Sequence, residues 1–333
     1  MKVHFHDRLQ AVGPEAWNAL HAGARLRAPF VSWTWQTEWV RAFAEGRRLD
    51  VRRVEDEHGE LTAVLPLYEA RPGVLQLIGG IDVSDYLDLV VLAGREDASW
   101  TALLDARPEH DAIWDLHSVP AASPTVTVLP ALVTRFGLTA SVAMEERCPV
   151  LALPASWEAY LASLPGKHRH ELTRKMRRLE REVPEARAVS YRDPDDIAAR
   201  LPEFLGLHRA SRAGKARFMD ARMEDFFRRV TAALAAEGAV TLWFLDTAAG
   251  PAAAFITLEW DDTVGLYNSG FDPGRAALAP GLVLIARLIQ DAIVRGKRRF
   301  DFLRGEERYK YEFGPTPEDV CTVTVDTGIP TGA

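Results

Sequence analysis

Residues 263–281 read Thr263-Val264-Gly265-Leu266-Tyr267-Asn268-Ser269-Gly270-Phe271-Asp272-Pro273-Gly274-Arg275-Ala276-Ala277-Leu278-Ala279-Pro280-Gly281. The first nine predict a strand, 263–271, and Asp272-Pro273-Gly274 breaks it with turn residues. Pro280-Gly281 then opens a helix to Arg295, whose Leu282, Ile285, Ala286, Ile289 and Ile293 form one apolar face. Gly296 stands where a helix stop belongs. Upstream, 240–246 and 252–260 are two further strands, with Gly250 and Asp261-Asp262 as turns, so 240–271 predicts an antiparallel meander. Downstream, 299–303 predicts a strand containing Asp301, followed by the loop Arg304-Gly305, a short segment Tyr309–Gly314 and a final strand at 319–325. Strands, one long helix and more strands make an α+β arrangement with a mostly antiparallel, mixed sheet flanked by helices.

The segments before the meander complete the second half. Residues 167–182 predict a helix with Leu172, Met176, Leu179 and Val183 as a buried stripe. A strand at 187–191 follows, then helices from Asp193-Pro194 to Arg212 and over 223–237. In the first half the pattern predicts strands at 3–6, 74–78, 86–92 and 111–118, and a hairpin of 51–56 with 61–69 about His58-Gly59. Helices are expected at 14–22, 34–44, 97–106 and 125–136. A chain of 333 residues exceeds the roughly 250–300 residues at which one core stops growing. Two domains are therefore expected, 1–150 and 151–333.

Composition narrows the function classes. The chain is 47% hydrophobic and 26% charged, which excludes wholesale disorder, and no apolar run is long enough for a membrane span. The formal charge of −7 lies wholly in residues 1–150, and 151–333 is neutral. Within that neutral half, 167–181 holds seven Lys or Arg in fifteen residues. An acidic chain with one basic helix is not a general DNA binder, although that helix suits a phosphate-bearing ligand. Cys148 and Cys321 stand alone, and no apolar leader precedes residue 10, so a cytoplasmic location is expected. His4 and His6 share a strand face without a third ligand, and no metal site is expected.

The residues Leu266-Tyr267-Asn268-Ser269-Gly270-Phe271-Asp272-Pro273, Ala279-Pro280-Gly281, Phe300-Asp301-Phe302-Leu303-Arg304-Gly305 and Tyr309-Lys310 resemble the acetyltransferase domain of CelD-like cellulose-biosynthesis proteins. That domain belongs to the GNAT superfamily and is related to the FemABX aminoacyltransferases. The likeness covers about 160–314, including the basic helix, and is weaker over 1–150, where Pro29-Phe30, Trp33-Trp35 and Asp85-Tyr86 are similar. It implies tandem GNAT-like domains and acetyl-CoA or another acyl-CoA as co-substrate. Of the glycines that ordinarily lead into the carrier-binding helix, only Gly281 matches.

Acyl transfer to an amine needs a cradle for the carrier's phosphates, a donor aimed at the developing oxyanion and a proton acceptor. A helix N-terminus after a strand supplies free N–H groups, which makes Pro280, Gly281 and Ser269 the carrier-binding candidates. The run Tyr309-Lys310-Tyr311-Glu312-Phe313-Gly314 is similar to a FemABX stretch, and that likeness implies Lys310 as oxyanion donor. Asp301 is then expected to orient Lys310 or accept the amine proton. Tyr267, Arg304, Tyr309, Asp85 and Tyr86 are candidate acceptor contacts, and Arg174 and Arg178 candidate phosphate contacts. Each has a plainer alternative: a surface lysine, an Asp paired to Arg304, a packed tyrosine, a solvated helix face. The Trp33, Trp35, Trp39 cluster reads as core rather than as a sugar platform. No Cys or Ser stands in a nucleophile motif, so direct transfer from acyl-CoA to a small-molecule or envelope-precursor amine is expected. An aminoacyl-tRNA donor and a non-catalytic binding module remain alternatives.

Overall fold

The computed structural model describes residues 1–108 and 113–327. By its internal contacts the chain divides into Met1–Arg147 with Glu318–Ala333, and Cys148–Pro317. The sequence reading put everything after residue 150 in one domain; the final strand instead belongs with the first unit. Strand pairing is the reason. Thr316–Asp326 runs antiparallel to Ile113–Pro120, with Val323 opposite Leu116 and Val325 opposite Trp114. Val320, Val323 and Val325 are fully buried in that unit. The alternation that makes a half-buried strand thus finds its partner about two hundred residues back in the sequence.

In the first unit the sheet order runs Lys2–His6, Leu49–Glu55, Leu61–Arg71, Val74–Leu77, Ile113–Pro120 and the final strand. All neighbours are antiparallel except Val74–Leu77 beside Ile113–Pro120. The expected strand at 86–92 shrinks to Val90–Val91, because Asp88 leaves the extended course to bind Ser123 and Thr125. The expected helix at 125–136 is two short helices, Pro124–Thr127 and Leu129–Val133, and a turn; Pro130 has no N–H to continue the first ladder. Of the strand expected at 111–118, residues 111–112 lie outside the described residues. Trp35 and Trp39 are buried, and Trp35 donates its indole N–H to Ser84 Oγ at 2.9 Å, so this cluster is core.

The second unit is built on the predicted meander. Arg187–Tyr191, Val240–Thr247, Gly250–Trp260 and Thr263–Phe271 pair antiparallel in that order. Arg299–Asp301 adds in parallel to Thr263–Phe271, and residues 150–152 pair antiparallel on its far side. The helix Pro280–Val294 lays nine buried residues on this sheet. The basic helix Gly166–Glu182 adds Leu172 and Leu179 to the same core, with Met176 and Val183 packed against it. Its charged face remains outside, where Glu180 accepts from Arg287 at 2.8 Å.

Two features open the sheet beside the long helix. The parallel pairing stops at Gly265 and Asp301, after which Thr263–Phe271 continues while the chain at Phe302 turns away. Two parallel strands that part company leave a wedge between them. One step before that edge is used, Tyr267 is an extra residue opposite Ile256 and Thr257, a β-bulge that re-aims the side chains beyond it. Among the described residues no helix is long and apolar enough to cross a membrane, and no group of His, Cys, Asp and Glu is arranged to hold a metal ion.

Candidate active site

The wedge is the mouth of a cavity of about 310 Å³, wholly within the second unit. Ser269, Gly270 and Phe271 form its strand wall. Ala279, Pro280, Gly281, Leu282 and Ile285 bring the start of the long helix to it. Arg212 and Lys215, from the short helix Ala213–Phe218 and the residue before it, and Glu307 and Tyr309 complete the wall. One side is therefore apolar, with Phe255, Phe271, Leu282 and Ile285, and the other is polar.

The long helix starts in a way that keeps its N-terminus open. Ala279 sits at φ 49° and ψ 47°, in the left-handed region, and offers no side-chain cap. Pro280 has no N–H to satisfy, and the N–H groups of Gly281 and Leu282 have no acceptor within the helix, because a helix leaves its first-turn donors unpaired. A Cβ on Gly281 would meet only the Phe255 ring tip at 3.9 Å. Glycine here is thus not demanded by the protein's own packing. It leaves room on the cavity side.

Ser269 is held by two side chains through three hydrogen bonds. His208, in the helix Pro194–Ser211, places Nδ1 3.0 Å from the Ser269 carbonyl. A carbonyl only accepts, so Nδ1 carries the proton and donates. Burial, then the Lys215 charge, pulls His208 down to about 4, so the ring is neutral. Lys215 Nζ lies 2.5 Å from the same carbonyl and 2.8 Å from Ser269 Oγ. Burial, followed by the adjacent Arg212, lowers the Lys215 ammonium to about 8. Gly270 allows this close approach: a Cβ there would lie 2.5 Å from the His208 backbone nitrogen.

The far wall is organised by Lys310, which is 3% exposed and is not on the cavity surface. Its ammonium donates to the carbonyls of Leu303, Arg304 and Gly305 at 3.2, 2.7 and 3.0 Å and pairs with Glu307 Oε2 at 3.0 Å. Asp301 Oδ1 accepts from the Leu303 N–H at 2.8 Å. Leu303 has φ 55°, a conformation that a leucine keeps only when its surroundings enforce it. Lys310 and Asp301 are those surroundings. The geometry gives them the work of holding the loop 301–307. Burial works against the Glu307 charge, but Lys310 and Arg212 outweigh it and hold the carboxyl below its usual range. Burial, then Glu307, pushes the Tyr309 phenol well above its usual range, leaving a neutral hydroxyl.

Of the residues singled out in the sequence, Ser269, Pro280, Gly281 and Tyr309 meet at the cavity. Tyr267 stacks on Phe227, with ring centroids 5.7 Å apart, and does not line it. Arg304 contributes its carbonyl to Lys310 rather than a wall to the cavity. Arg174 is an exposed partner of Glu171 at 2.7 Å. Arg178 binds Glu182 and donates to the Ala277 carbonyl at 3.0 Å, so it braces the turn before the long helix. Asp85 and Tyr86 belong to the first unit, where Tyr86 is buried against Phe30. Lys215, Arg212, Glu307 and His208 escaped the sequence reading. Residues 213–218 have no apolar period, and only the fold brings their lysine to Ser269.

Residues 166–311 match a family model described as an acetyltransferase (GNAT) domain. Among solved structures, FemX superposes with a TM-score of 0.65 at 11% identity, over 97% of both chains. A conserved protein of unknown function from Bacteroides thetaiotaomicron VPI-5482 gives 0.61 at 13%, over 97% of this chain and 99% of that one. L-PGS from Bacillus licheniformis gives 0.60 at 12%, over 96% and 93%. No curated protein sequence matches the chain. The cavity, its open helix end and the parted strands thus lie inside the matched segment, and the chain is an α+β protein of GNAT-like fold whose residues 166–311 match a GNAT acetyltransferase domain.

Proposed function

We propose that the second unit is the catalytic half of an N-acyltransferase that moves an acyl group from acyl-CoA to the amine of a small molecule or a cell-envelope or polysaccharide precursor. The observation that carries this is the convergence of the uncapped N-terminus of Pro280–Val294, the strand edge at Ser269 beyond the last pairing with Arg299–Asp301 and an apolar wall on one cavity of about 310 Å³. The helix end suits the phosphates of the carrier, through N–H donors and the positive end of the dipole. Phe255, Phe271, Leu282 and Ile285 suit the pantetheine arm and the acyl chain. The resemblance to CelD-like proteins supports an envelope or polysaccharide acceptor.

The test is thermal unfolding of the whole protein with CoA, acetyl-CoA and longer acyl-CoAs. A ligand at 100 times its Kd adds about 2.7 kcal/mol if it binds only the folded state. A raised midpoint is expected; no shift at millimolar ligand removes acyl-CoA as the donor. An aminoacyl-tRNA donor is the second reading, favoured by Lys167 and Arg308, which line another cavity of the second unit, about 250 Å³, without an ion-pair partner among the described residues. Salt-dependent tRNA binding that Lys167→Glu abolishes is what that reading requires.

A further inference from the structure

Ser269 and Lys215 are the one hydroxyl–amine pair on the cavity wall, and they stand in hydrogen-bond contact at 2.8 Å among the described residues. We infer that Ser269 is a nucleophile activated by Lys215, and that the acyl group passes through an ester on Ser269 before it reaches the acceptor. This rests on the acyl-transfer reading of the cavity and replaces the direct transfer expected from the sequence.

The geometry supplies each part of a Ser–Lys dyad. The nucleophile is fixed: His208 Nδ1 and Lys215 Nζ both bind the Ser269 carbonyl, and Gly270 lets the strand lie against the His208 backbone. The base is held by the same contacts, with Nζ over both oxygens of one residue. Charged groups facing it are Arg212 beside it, and Glu307 and Lys310 from the loop and helix opposite; the neutral His208 adds no charge. Burial and the two neighbouring cations outweigh Glu307, and a lysine titrating near 8 has a sizeable free-base fraction at neutral pH.

The step balances without a further reactant. Free-base Lys215 takes the Ser269 Oγ proton as Oγ bonds to the carbonyl carbon of the thioester. The C–S bond breaks, and the Lys215 ammonium returns the proton to the departing thiolate. An acceptor amine then attacks the ester, giving its proton to Lys215, which passes it to Ser269 Oγ as the C–O bond breaks.

The experiment needs no knowledge of the acceptor. The whole protein is mixed with p-nitrophenyl acetate, an activated ester that acylates an activated serine with or without a carrier site. Release of p-nitrophenolate is followed together with intact mass and peptide mapping. Expected are a burst near one equivalent, one acetyl group on Ser269, and its loss in neutral hydroxylamine, which cleaves esters and spares amides. Ser269→Ala removes the burst, and Lys215→Met slows it roughly 100-fold or more, the least a positioned base contributes. Both variants are checked for an unchanged circular dichroism spectrum and a cooperative unfolding transition without ligand, which shows the fold intact. Acetyl only on lysines, or an undiminished burst in Ser269→Ala, overturns the dyad. If acetyl-CoA shifts the midpoint but Ser269 stays unmodified, the dyad fails and acyl-CoA transfer stands. If Ser269 is acetylated while no CoA shifts the midpoint, the dyad stands and the carrier reading fails.

Discussion

Two lysines near one cavity have opposite environments, and the environment decides what each does. Lys310 spends its three donors on the Leu303, Arg304 and Gly305 carbonyls and its charge on Glu307. Lys215 faces Ser269 from the cavity wall with a titration pulled to about 8. Resemblance points to Lys310 for chemistry because it matches a motif, but a motif does not say where an ammonium points. Lys310→Ala is therefore expected to act first on stability. Charge-assisted hydrogen bonds are worth about 1.5–3 kcal/mol singly and are not additive, so a loss of roughly 2–4 kcal/mol is expected in urea unfolding. An unchanged unfolding midpoint with lost turnover would restore Lys310 as the oxyanion donor. A residue-scale counterpart is Tyr309→Phe, which removes only a neutral hydroxyl from the cavity wall and should leave the unfolding midpoint in place.

Among the elements, the long periodic ones were legible. The basic helix, the three meander strands and the helix beginning at Pro280 fall within a few residues of their expected bounds, because period and punctuation agree in each. What was not legible is what depends on distant partners. The helix Ala213–Phe218 has no apolar stripe to announce it, yet it carries Lys215. Arg178 reads as one cation among seven on a basic face, yet it alone of the two candidates donates to the turn Pro273–Leu278, through Ala277. Arg178→Ala is expected to weaken the acetyl-CoA-dependent thermal shift by loosening the turn that presents the helix end. Arg174→Ala, which loses only an exposed pair with Glu171, should leave the shift unchanged. Equal losses in the two variants would mean that charge on this helix, not the brace, is what the carrier senses.

In the first unit an element-scale network sets a pH dependence. His117 lies between Asp115 Oδ2 at 2.9 Å and Glu145 Oε2 at 3.3 Å, and Glu145 also accepts from the Ser118 N–H and the Thr322 hydroxyl. These residues join the strands Ile113–Pro120, Thr139–Ala152 and Thr316–Asp326. The Asp115 hydrogen bond, then that of Glu145, raises His117 from 6.5 to about 9. Burial opposes the Glu145 charge, but His117, Ser118 and Thr322 outweigh it and lower the group from 4.5 to about 2. A raised histidine binds its proton more tightly when folded, so its contribution is complete below 6.5 and is lost as pH rises to about 9. The depressed Glu145 contributes above 4.5 and fades as pH falls toward about 2. His117→Gln should therefore destabilise the protein more at pH 6.5 than at pH 9 in urea unfolding. The same destabilisation at both pH values would show that the imidazolium charge is not what joins the strands.

At the scale of the whole molecule, chain order and spatial order disagree at one place, and that disagreement has a consequence. The site lies entirely in Cys148–Pro317, and this unit contains the meander strands and its own core. The first unit is completed by residues on the other side of it in sequence, Glu318 onward. Composition cannot reveal this: the final strand alternates in the ordinary way and would serve either unit. A chain ending at Pro317 loses Val320, Val323 and Val325, each fully buried, and leaves Ile113–Pro120 without its antiparallel neighbour. At about 1.5–3 kcal/mol for each buried valine, the loss is roughly 4.5–9 kcal/mol, which is comparable with the entire stability of a typical domain. Limited proteolysis of a chain comprising 1–317 should therefore digest residues 1–147 and leave a resistant core from about Cys148 onward. That core should keep the acetyl-CoA-dependent shift, because no cavity residue comes from the lost unit. Protection of residues 1–147 equal to that in the full chain would show that the first unit closes its sheet without the final strand. Loss of the shift together with an intact 148–317 core would instead mean that the first unit contributes to carrier binding.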